Sequence, residues 1–306
     1  MTIRIAYATA PAIPDGDEDA PLLAAALAAR GASCEPTVWD DAVVDWAAFD
    51  MVVLRSTWDY SLRLPEFLDW AARICEVTRL ANPEPVVRWN TDKRYLAELH
   101  AAGIPIVPTG WSSPGGSTPL PDGGDFVVKP AVSAGARDTQ RYTSAEHDRA
   151  RAHVAALHAD GRHVMVQPYV DAVDEAGETA LLFVRGAYSH AIRKGPLLRR
   201  GDALVTGLYA PEEISPRAPD PAEVALGDRV LAALPFAAAD LLYARVDLLP
   251  GPDGPVVIEV ELTEPSLFLA HGESRDPAGR LADAILERLG HPTAAAGGGQ
   301  TTAARP

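Results

Sequence analysis

The chain has 306 residues, of which 47% are hydrophobic, and a formal net charge of −15 at pH 7. This size and apolar content predict two or three domains with full cores, and the acidic balance argues against nucleic acid or an anionic membrane as a partner. Two cysteines without a metal-binding spacing exclude a disulfide framework and a zinc site. With no signal-peptide layout and no apolar stretch of roughly 20 residues, the expected compartment is the cytoplasm.

The N-terminal part of the chain alternates between strand and helix patterns. Strands are predicted at 2–9, 35–39 and 51–54, and helices at 21–30 and 65–78. This alternation is typical of a parallel sheet covered by helices, and no GxGxxG motif follows the first strand to indicate a dinucleotide site. Asn90 is predicted to cap a helix at 91–102. We therefore assign residues 1–108 to an α/β domain with a linking helix.

The middle of the chain predicts a small strand-loop-helix-strand module at 109–168. Residues 112–125 are rich in Gly, Ser, Pro and Asp, which indicates a loop. The pattern after it predicts a strand at 126–130, a polar segment at 131–142, a helix at 144–159 and a strand at 163–167.

The C-terminal part, assigned to residues 169–290, contains two predicted hairpins. The predicted elements are strands at 179–184 and 187–193, a helix at 221–234, a second hairpin at 245–262 and a closing helix at 277–289. Residues 291–306 are rich in Ala, Gly and Thr and have little to bury, so we expect a disordered tail.

The second hairpin carries an unusual set of charges on apolar strands. Side chains alternate along a strand, so Arg245 and Asp247 share one face, as do Glu259 and Glu261. If the hairpin is centred on Asp253, Asp247 lies opposite Glu259, and three carboxylates converge with one guanidinium. Mg²⁺ prefers such oxygen ligands and often shares them with substrate phosphates. The pattern favours a metal site, although the solvated face of an edge hairpin would show the same alternation.

Two lysines and a small-residue loop could hold phosphate. Lys129 ends an apolar strand, which suits either a nucleotide phosphate or a lysine that reaches solvent from a strand end. Lys93 falls in the first turn of the predicted helix after Asn90, where the helix dipole disfavours a cation unless an anion is close. The loop 131–139 would let backbone amides approach phosphates, and it could equally be a plain surface loop.

Three further segments have a functional and a structural interpretation each. Gln167 and Tyr169 end a strand and could border a nucleobase or form a hinge between packed domains. Arg193 and Lys194 could meet phosphate or a substrate carboxylate, or simply be solvated. The run Arg-Ser-Thr-Trp-Asp-Tyr at 55–60 follows the third strand, at the sheet edge where ligands bind. It suits recognition of a small polar molecule, or a capped loop with aromatics packed beneath it.

These motifs, taken in order, resemble the ATP-grasp superfamily in its glutathione-synthetase-like branch, over about residues 1–290. The matching segments are Asn90-x-x-Lys93, Val127-Val128-Lys129-Pro130, the 131–139 loop, Gln167-Pro168-Tyr169, Arg245-x-Asp247 and Glu259-x-Glu261. The resemblance implies an N-terminal parallel-sheet α/β domain, a small central lid domain and a C-terminal mixed-sheet catalytic domain. It also implies ATP and two Mg²⁺ ions as cofactors.

The resemblance further implies a role for each of these residues. The implied ATP-binding residues are Lys93, Lys129, Ser133, Gly135 and Ala136 at the phosphates, Gln167 and Tyr169 at the adenine and Glu178 near the ribose. The implied metal ligands are Asp247, Glu259 and Glu261, with Glu261 standing where many relatives carry Asn. Arg245 would stabilise the transferring phosphoryl group, assisted by Arg193 or Lys194. The loop has fewer glycines than in many members, which leaves its phosphate contacts open.

Within the superfamily, the run Ser56-Thr57-Trp58-Asp59-Tyr60 and the segment 129–137 are most similar to the O-ureido-serine cyclo-ligases. This implies a ligase that binds a small amino-acid-like substrate at residues 56–60 and activates its carboxylate as an acyl phosphate. Ring closure within that molecule would give D-cycloserine, with release of ADP, phosphate, carbon dioxide and ammonia. Two alternatives stay open, an intermolecular carboxylate-amine ligase and a nucleotide-binding protein without turnover. A homodimer is expected by analogy with other members.

Overall fold

The structure, a computed structural model, describes residues 2–198, 200–201, 204–205, 207–208, 212–272 and 276–291. Three sheets follow one another along these residues. From residue 292 onward, the expected disordered tail lies outside them. No helix within these ranges has the length and apolar character to cross a bilayer.

The first sheet is parallel, as predicted, with the strand order β2-β1-β3-β4. Its strands are β1 (Ile3–Thr9), β2 (Ala32–Val38), β3 (Met51–Ser56) and β4 (Arg79–Ala81), and its helices are α1 (Ala20–Ala28) and α2 (Leu64–Val77). Strand β4 was not predicted, because three residues are too short for a recognisable alternation. The carboxyl ends of β1 and β3 lie side by side, so the loops that follow these two strands begin at the same edge of the sheet.

The predicted cap at Asn90 is wrong, because Asn90 ends one helix instead of beginning the next. Helix α3 spans Glu84–Asn90 and helix α4 spans Tyr95–Ala101, so Lys93 lies in the turn between them. The Asn90 amide donates to the main-chain oxygen of Val260 at 2.8 Å and accepts from the main-chain nitrogens of Leu262 and Thr263 at 2.7 and 3.1 Å. Asn90 therefore ties α3 to the second hairpin.

Replacing Asn90 by alanine is expected to lower the free energy of unfolding by about 3 kcal/mol, because buried main-chain groups lose their partner. Urea denaturation followed by circular dichroism measures this change. Arg88→Ala in the same helix removes only an exposed pair with Glu84 and is the matched control, with an expected change below about 0.5 kcal/mol. Equal values for the two variants would contradict the role given to Asn90.

The second sheet is antiparallel, with the order β5-β8-β6-β7. Its strands are β5 (Gly110–Ser112), β6 (Asp125–Pro130), β7 (Gln140–Thr143) and β8 (Val164–Pro168), and helix α5 (His147–Ala159) packs on one face. The polar segment predicted at 131–142 therefore ends in a strand. The sequence does not show this strand, because the charged residue Arg141 of β7 is buried. Arg141 pairs with Asp125 of β6, with Nε and Oδ2 2.6 Å apart.

The third sheet has the order β11-β10-β9-β12-β13, and every pairing between its strands is antiparallel. Its strands are β9 (Glu178–Val184), β10 (Ala187–Lys194), β11 (Ile214–Pro216), β12 (Tyr243–Gly251) and β13 (Gly254–Glu261), and its helices are α6 (Val173–Ala176), α7 (Pro221–Ala233) and α8 (Pro277–Arg288). Among the described residues, the one parallel pairing to this sheet is an isolated bridge between Ile106 and Val257. Helix α8 shares a core with the first sheet and one face of this sheet, whereas α7 and α4 cover the other face.

The register of the β12–β13 hairpin confirms that Asp247 faces Glu259 and that Arg245 faces Glu261. The turn is two residues long, between Gly251 and Gly254, so the hairpin is not centred on Asp253. A β-bulge at Ile258 shifts the pairing register by one residue, because Leu248 pairs with Val257 while Asp247 pairs with Glu259. The three predicted carboxylates therefore lie at adjoining positions on one face.

Candidate active site

Side chains from all three sheets line one cavity of about 810 Å³. The second sheet contributes β6 and β8, the third contributes β9, β10, β12 and β13, and the first contributes the segments that follow β1 and β3. The predicted residues that line this cavity are Trp58, Lys93, Lys129, Ser133, Gly135, Ala136, Gln167, Tyr169, Glu178, Lys194, Arg245, Asp247, Glu259 and Glu261. The fold thus brings together motifs that are far apart in the sequence.

The β12–β13 hairpin places a guanidinium between two carboxylates. Arg245 donates to the two Asp247 oxygens at 2.9 and 2.8 Å and to Glu261 Oε1 at 2.6 Å. Asp247 also accepts from Lys194 Nζ at 2.7 Å, and Lys194 pairs with Glu178 on the neighbouring strand at 2.7 Å. These five side chains form one network of alternating charge.

The carboxyl groups of this network differ in protonation because their surroundings differ. Burial favours the neutral form of Asp247, but Arg245 and Lys194 outweigh it and lower the pKa of Asp247 to about 2. Burial raises the pKa of both Glu178 and Glu261 to about 7, despite the attraction of the neighbouring cations. Asp247 is therefore fully ionised at neutral pH, whereas Glu178 and Glu261 are only partly so.

Two further buried lysines, Lys93 and Lys129, line the same cavity. Lys93 Nζ donates to the main-chain oxygen of Ser133 at 2.6 Å and lies 3.0 Å from Glu259 Oε1. Lys129 is 9% exposed and has no hydrogen-bond or ion-pair partner among the residues that the structure describes. Burial lowers the pKa of Lys129 to about 8, although Glu259 opposes this shift. A buried ammonium without a partner is costly, so an anion beside Lys129 would complete the site.

One end of the cavity is largely apolar. Its apolar lining residues are Val127, Val170, Val173, Leu249 and Ile258. Gln167 is buried there and donates to Thr109 Oγ1 at 2.9 Å. The guanidinium carbon of Arg141 lies 3.4 Å from the centroid of the Tyr169 ring. Apolar walls with a few polar groups at the edge suit a flat heterocycle.

The loop between β6 and β7 borders the cavity with an unusual backbone. Gly135, Ala136 and Asp138 have φ angles of 60°, 59° and 53°, in the left-handed region that favours glycine. An ion pair of 2.6 Å between Arg162 and Asp138 holds this turn. The loop therefore makes its left-handed turn with few glycines.

Comparison with known proteins identifies the family. A family model described as the N-terminal domain of D-cycloserine synthetase DcsG matches residues 5–82. The cycloserine biosynthesis protein DcsG of Streptomyces lavendulae is 42% identical over 291 residues, which cover 89% of this chain and 94% of that protein. This chain belongs to the D-cycloserine synthetase DcsG family. A crystal structure of D-cycloserine synthetase DcsG superposes with a TM-score of 0.83 at 40% identity, covering 94% of this chain and 99% of that one.

Membership of the DcsG family confirms the resemblance to ATP-grasp enzymes that the motifs indicated. The D-alanine–D-alanine ligase of Bacillus anthracis, solved with ATP, shares the fold with a TM-score of 0.67 at 16% identity, over 94% of this chain and 97% of that one. ATP-grasp ligases form C–N bonds, so the prediction of a ligase is also confirmed.

The carboxylates of this DcsG family member suit a hard cation that is shared with phosphate. Within the described ranges, no group of three His, Cys, Asp or Glu side chains is arranged to hold a metal alone. Mg²⁺ usually takes only one or two carboxylates and completes its shell with water and phosphate oxygens. Asp247 and Glu259 face each other across the hairpin and both line the cavity. The donor set therefore fits Mg²⁺ bound together with a phosphorylated ligand.

Arg193 does not reach the cavity, in contrast to the prediction. Its Nε donates to the main-chain oxygen of Ala176 at 2.8 Å, and a terminal nitrogen donates to that of Glu175 at 3.1 Å. Neighbouring side chains of a strand point to opposite faces, so Lys194 and Arg193 cannot both enter the site. Of the two candidates, the structure places only Lys194 there.

The run predicted to bind the substrate is mostly structural, because only Trp58 of its five residues lines the cavity. A 3₁₀ turn at Trp58–Leu62 sends the side chains in different directions. The core holds the other four: Ser56 bonds to Thr9, Asp59 to Trp39 and Arg63, Tyr60 stacks on Phe67, and Thr57 is fully buried. Propensity and position identified the correct loop, but only tertiary packing decides which side chain faces outward.

Two segments that the sequence interpretation left out also line the cavity. They contribute Asp17 and Asp19 from the loop after β1, and Glu264, Phe268 and His271 from the segment after β13. Asp19 joins the two segments, because it accepts from the main-chain nitrogens of Leu267 and Leu269 at 2.8 and 2.7 Å. A usable signal was present in Glu264, a third glutamate only three residues after Glu261.

Proposed function

We propose that this protein is an ATP-dependent ligase that cyclises O-ureido-D-serine to D-cycloserine. Membership of the DcsG family supports the product. The observation in the structure that carries the proposal is Lys129, a buried ammonium without a partner that faces a cavity shared with Lys93, Lys194 and Arg245. A triphosphate would supply the negative charge that Lys129 lacks.

The proposed reaction has three balanced steps. The substrate carboxylate attacks the γ-phosphorus of ATP, ADP leaves, and an acyl phosphate forms. The aminooxy nitrogen of the same molecule attacks the acyl carbon, loses its proton to water and expels phosphate, which closes the ring. Water then removes the carbamoyl group as carbon dioxide and ammonia. Because the attack is intramolecular, the protein has mainly to hold the substrate folded and to neutralise charge.

The cavity residues can be assigned to the adenine, the ribose and the phosphates of a bound ATP. The apolar end with Gln167 and Tyr169 would take the adenine, and Glu178 would lie near the ribose while paired with Lys194. Lys93 and Lys129 would hold the phosphates, with Ser133, Gly135 and Ala136 of the loop bordering them. Arg245 and Lys194 also line the cavity and would stabilise the transferring phosphoryl group.

Two Mg²⁺ ions are part of the proposal, held by Asp247, Glu259 and Glu261 together with the phosphates. When bound they would neutralise phosphate charge and polarise the phosphoryl oxygens. Support comes from the shared face of the three carboxylates and from the low pKa of about 2 that Arg245 and Lys194 give Asp247 against the effect of burial. Glu261 keeps an oxygen ligand where many relatives carry Asn, at the cost of one more negative charge.

The remaining expectations belong to the same proposal. The enzyme would work in the cytoplasm on a small amino-acid-like substrate, without nucleic acid or membrane as a partner, which the net charge of −15 supports. The division into domains at 1–108, 109–168 and 169–290 stays a prediction, with the second as the lid. The homodimer stays an expectation by analogy.

The decisive experiment offers O-ureido-D-serine and Mg-ATP to the purified protein without any added amine. The expected result is D-cycloserine by mass spectrometry, with one ADP released for each molecule formed. ADP release that strictly requires a separate amino acid would indicate an intermolecular ligase instead. Nucleotide binding without ADP release with either substrate would indicate a protein without turnover.

The pH dependence of ATP use follows from Lys129. Burial lowers the pKa of this ammonium to about 8, so the free enzyme loses the phosphate-binding charge as the pH rises through 8. The KM for ATP is therefore expected to rise about tenfold between pH 7 and pH 9. Lys129→Arg keeps its charge over this range and should flatten the profile. Initial rates of ADP release at constant ionic strength measure both, and an equal rise in the two proteins would contradict the assignment.

A further inference from the structure

Ion pairing in the cavity leaves Glu264 without a cation. Glu178, Asp247, Glu259 and Glu261 each lie within 3.0 Å of a lysine or arginine nitrogen. Glu264 lines the same cavity and is 7% exposed, yet it has no ion-pair partner in the described part of the chain. It is the negative counterpart of Lys129, and the charged groups that act on it are Glu261, Lys93 and Glu259.

Glu264 is held rigidly at the cavity wall. The Tyr60 hydroxyl interacts with its carboxylate and favours the ionised form, and the Trp58 indole donates to its main-chain oxygen at 3.1 Å. Tyr60 is itself 3% exposed and stacks on Phe67, with ring centroids 5.1 Å apart. The run after β3 that was predicted to bind the substrate thus acts on the cavity largely by positioning this carboxylate.

The cavity carboxylates from the loop after β1 are less suited to binding a ligand. Both Asp19 oxygens accept protein hydrogen bonds, from Leu267, Leu269 and Arg55. Asp17 Oδ1 accepts from Tyr7, and its Oδ2 is buried away from any accessible surface. Glu18 lies exposed at the rim. Glu264 is therefore the buried carboxylate that a bound cation could reach.

The charge around Glu264 also favours a cation from outside. Its neighbours Glu261 and Glu259 are acidic, and the nearest attractive cation, Lys93, already pairs with Glu259 and Ser133. Burial, followed by the repulsion from Glu261, raises the pKa of Glu264 to about 8. A cationic group placed beside it would restore the ionised form and remove the cost of an unpaired buried charge.

We propose that Glu264 binds the amino group of the amino-acid substrate and so makes the enzyme specific for amino acids over the corresponding desamino acids. This inference rests on the proposed function, in which the substrate carboxylate is phosphorylated near Arg245. Arg245 donates to the main-chain oxygen of Ser266 at 3.2 Å, so the phosphoryl side and the segment that carries Glu264 are joined directly. Tyr60 is the positioning residue for this contact.

The first test uses the wild-type protein with two substrates, O-ureido-D-serine and its analogue without the amino group. The KM for the analogue is expected to be about ten- to hundredfold higher, the range for losing a charge-assisted hydrogen bond. The KM for ATP should stay the same. Equal KM values for the two substrates would overturn the inference, and this result does not depend on the folding of a variant.

The second test compares Glu264→Gln, Tyr60→Phe and the matched rim control Glu18→Gln. Glu264→Gln should raise the KM for O-ureido-D-serine about ten- to hundredfold and no longer distinguish the analogue. Tyr60→Phe should give a smaller rise in the same KM, and Glu18→Gln should change neither KM. A rise with Glu18→Gln instead, or wild-type discrimination retained in Glu264→Gln, would overturn the assignment. Wild-type inactivity on O-ureido-D-serine would overturn the proposed function, and this inference with it.

Discussion

Replacing Arg245 by methionine is expected to lower kcat about a thousandfold, the loss typical of removing a preorganised donor from a transition-state site. The guanidinium contacts Asp247 and Glu261 at once, and it donates to the main-chain oxygen of Ser266 in the segment after β13. Without it, Glu261 loses its cation, Asp247 keeps only Lys194, and, under the proposed function, the phosphoryl group in transfer loses a cation. Steady-state release of ADP with saturating ATP and substrate measures the change.

Arg245→Lys is the matched variant for this prediction. It keeps one positive charge but cannot contact two carboxylates through a planar fork, so it should recover only about tenfold of the lost rate. The dissociation constant for ADP, measured by calorimetry, reports whether the cavity is still formed. Rates for Arg245→Met within tenfold of wild type, with ADP binding intact, would exclude Arg245 from the chemical step.

Replacing Lys194 by methionine is expected to lower kcat about a hundredfold, whereas Arg193→Met on the same strand should stay within about twofold of wild type. Lys194 contacts Glu178 and Asp247 inside the cavity, but Arg193 turns to the main-chain oxygens of Glu175 and Ala176. Two adjacent basic residues thus differ only in the face of the strand that they occupy.

The same ADP-release assay measures both variants, with the thermal midpoint as a check on folding. Arg193→Met removes two hydrogen bonds to main chain and should lower the midpoint without changing the KM for either substrate. A large loss of kcat in Arg193→Met, together with little loss in Lys194→Met, would reverse the assignment made from the strand geometry.

The elements that were predicted correctly are those with a strong periodic pattern. Strands β1, β3, β9 and β12 are almost wholly buried and mostly apolar, and in the first sheet helices alternate with the strands in a simple order. Strand β7 was missed because Arg141 is buried by pairing with Asp125 across the sheet, which no local pattern reveals. The cap at Asn90 failed for a similar reason, since its side chain bonds to a hairpin about 170 residues away.

The same distinction between local pattern and tertiary contact applies to the residues of the candidate site. Arg245, Asp247, Glu259 and Glu261 could be predicted together because strand alternation and hairpin pairing are local geometry. The roles of Ser56, Thr57, Asp59 and Tyr60 could not, because the turn after β3 buries or exposes each side chain according to what packs on it. Glu264 was missed although it follows Glu261 by three residues, because only the tertiary structure shows that the cavity leaves it without a cation.

The bulge at Ile258 has a consequence for the whole third sheet. Had β13 continued regularly from its two-residue turn, Asp247 would face Ile258, and Glu259 and Glu261 would point at the hydrophobic core that holds Val257, Val260 and Leu262. Ile258 and Glu259 instead line the cavity together, as consecutive residues do at a bulge. One uncharged residue at an irregular point of the strand therefore determines which side of the sheet is acidic.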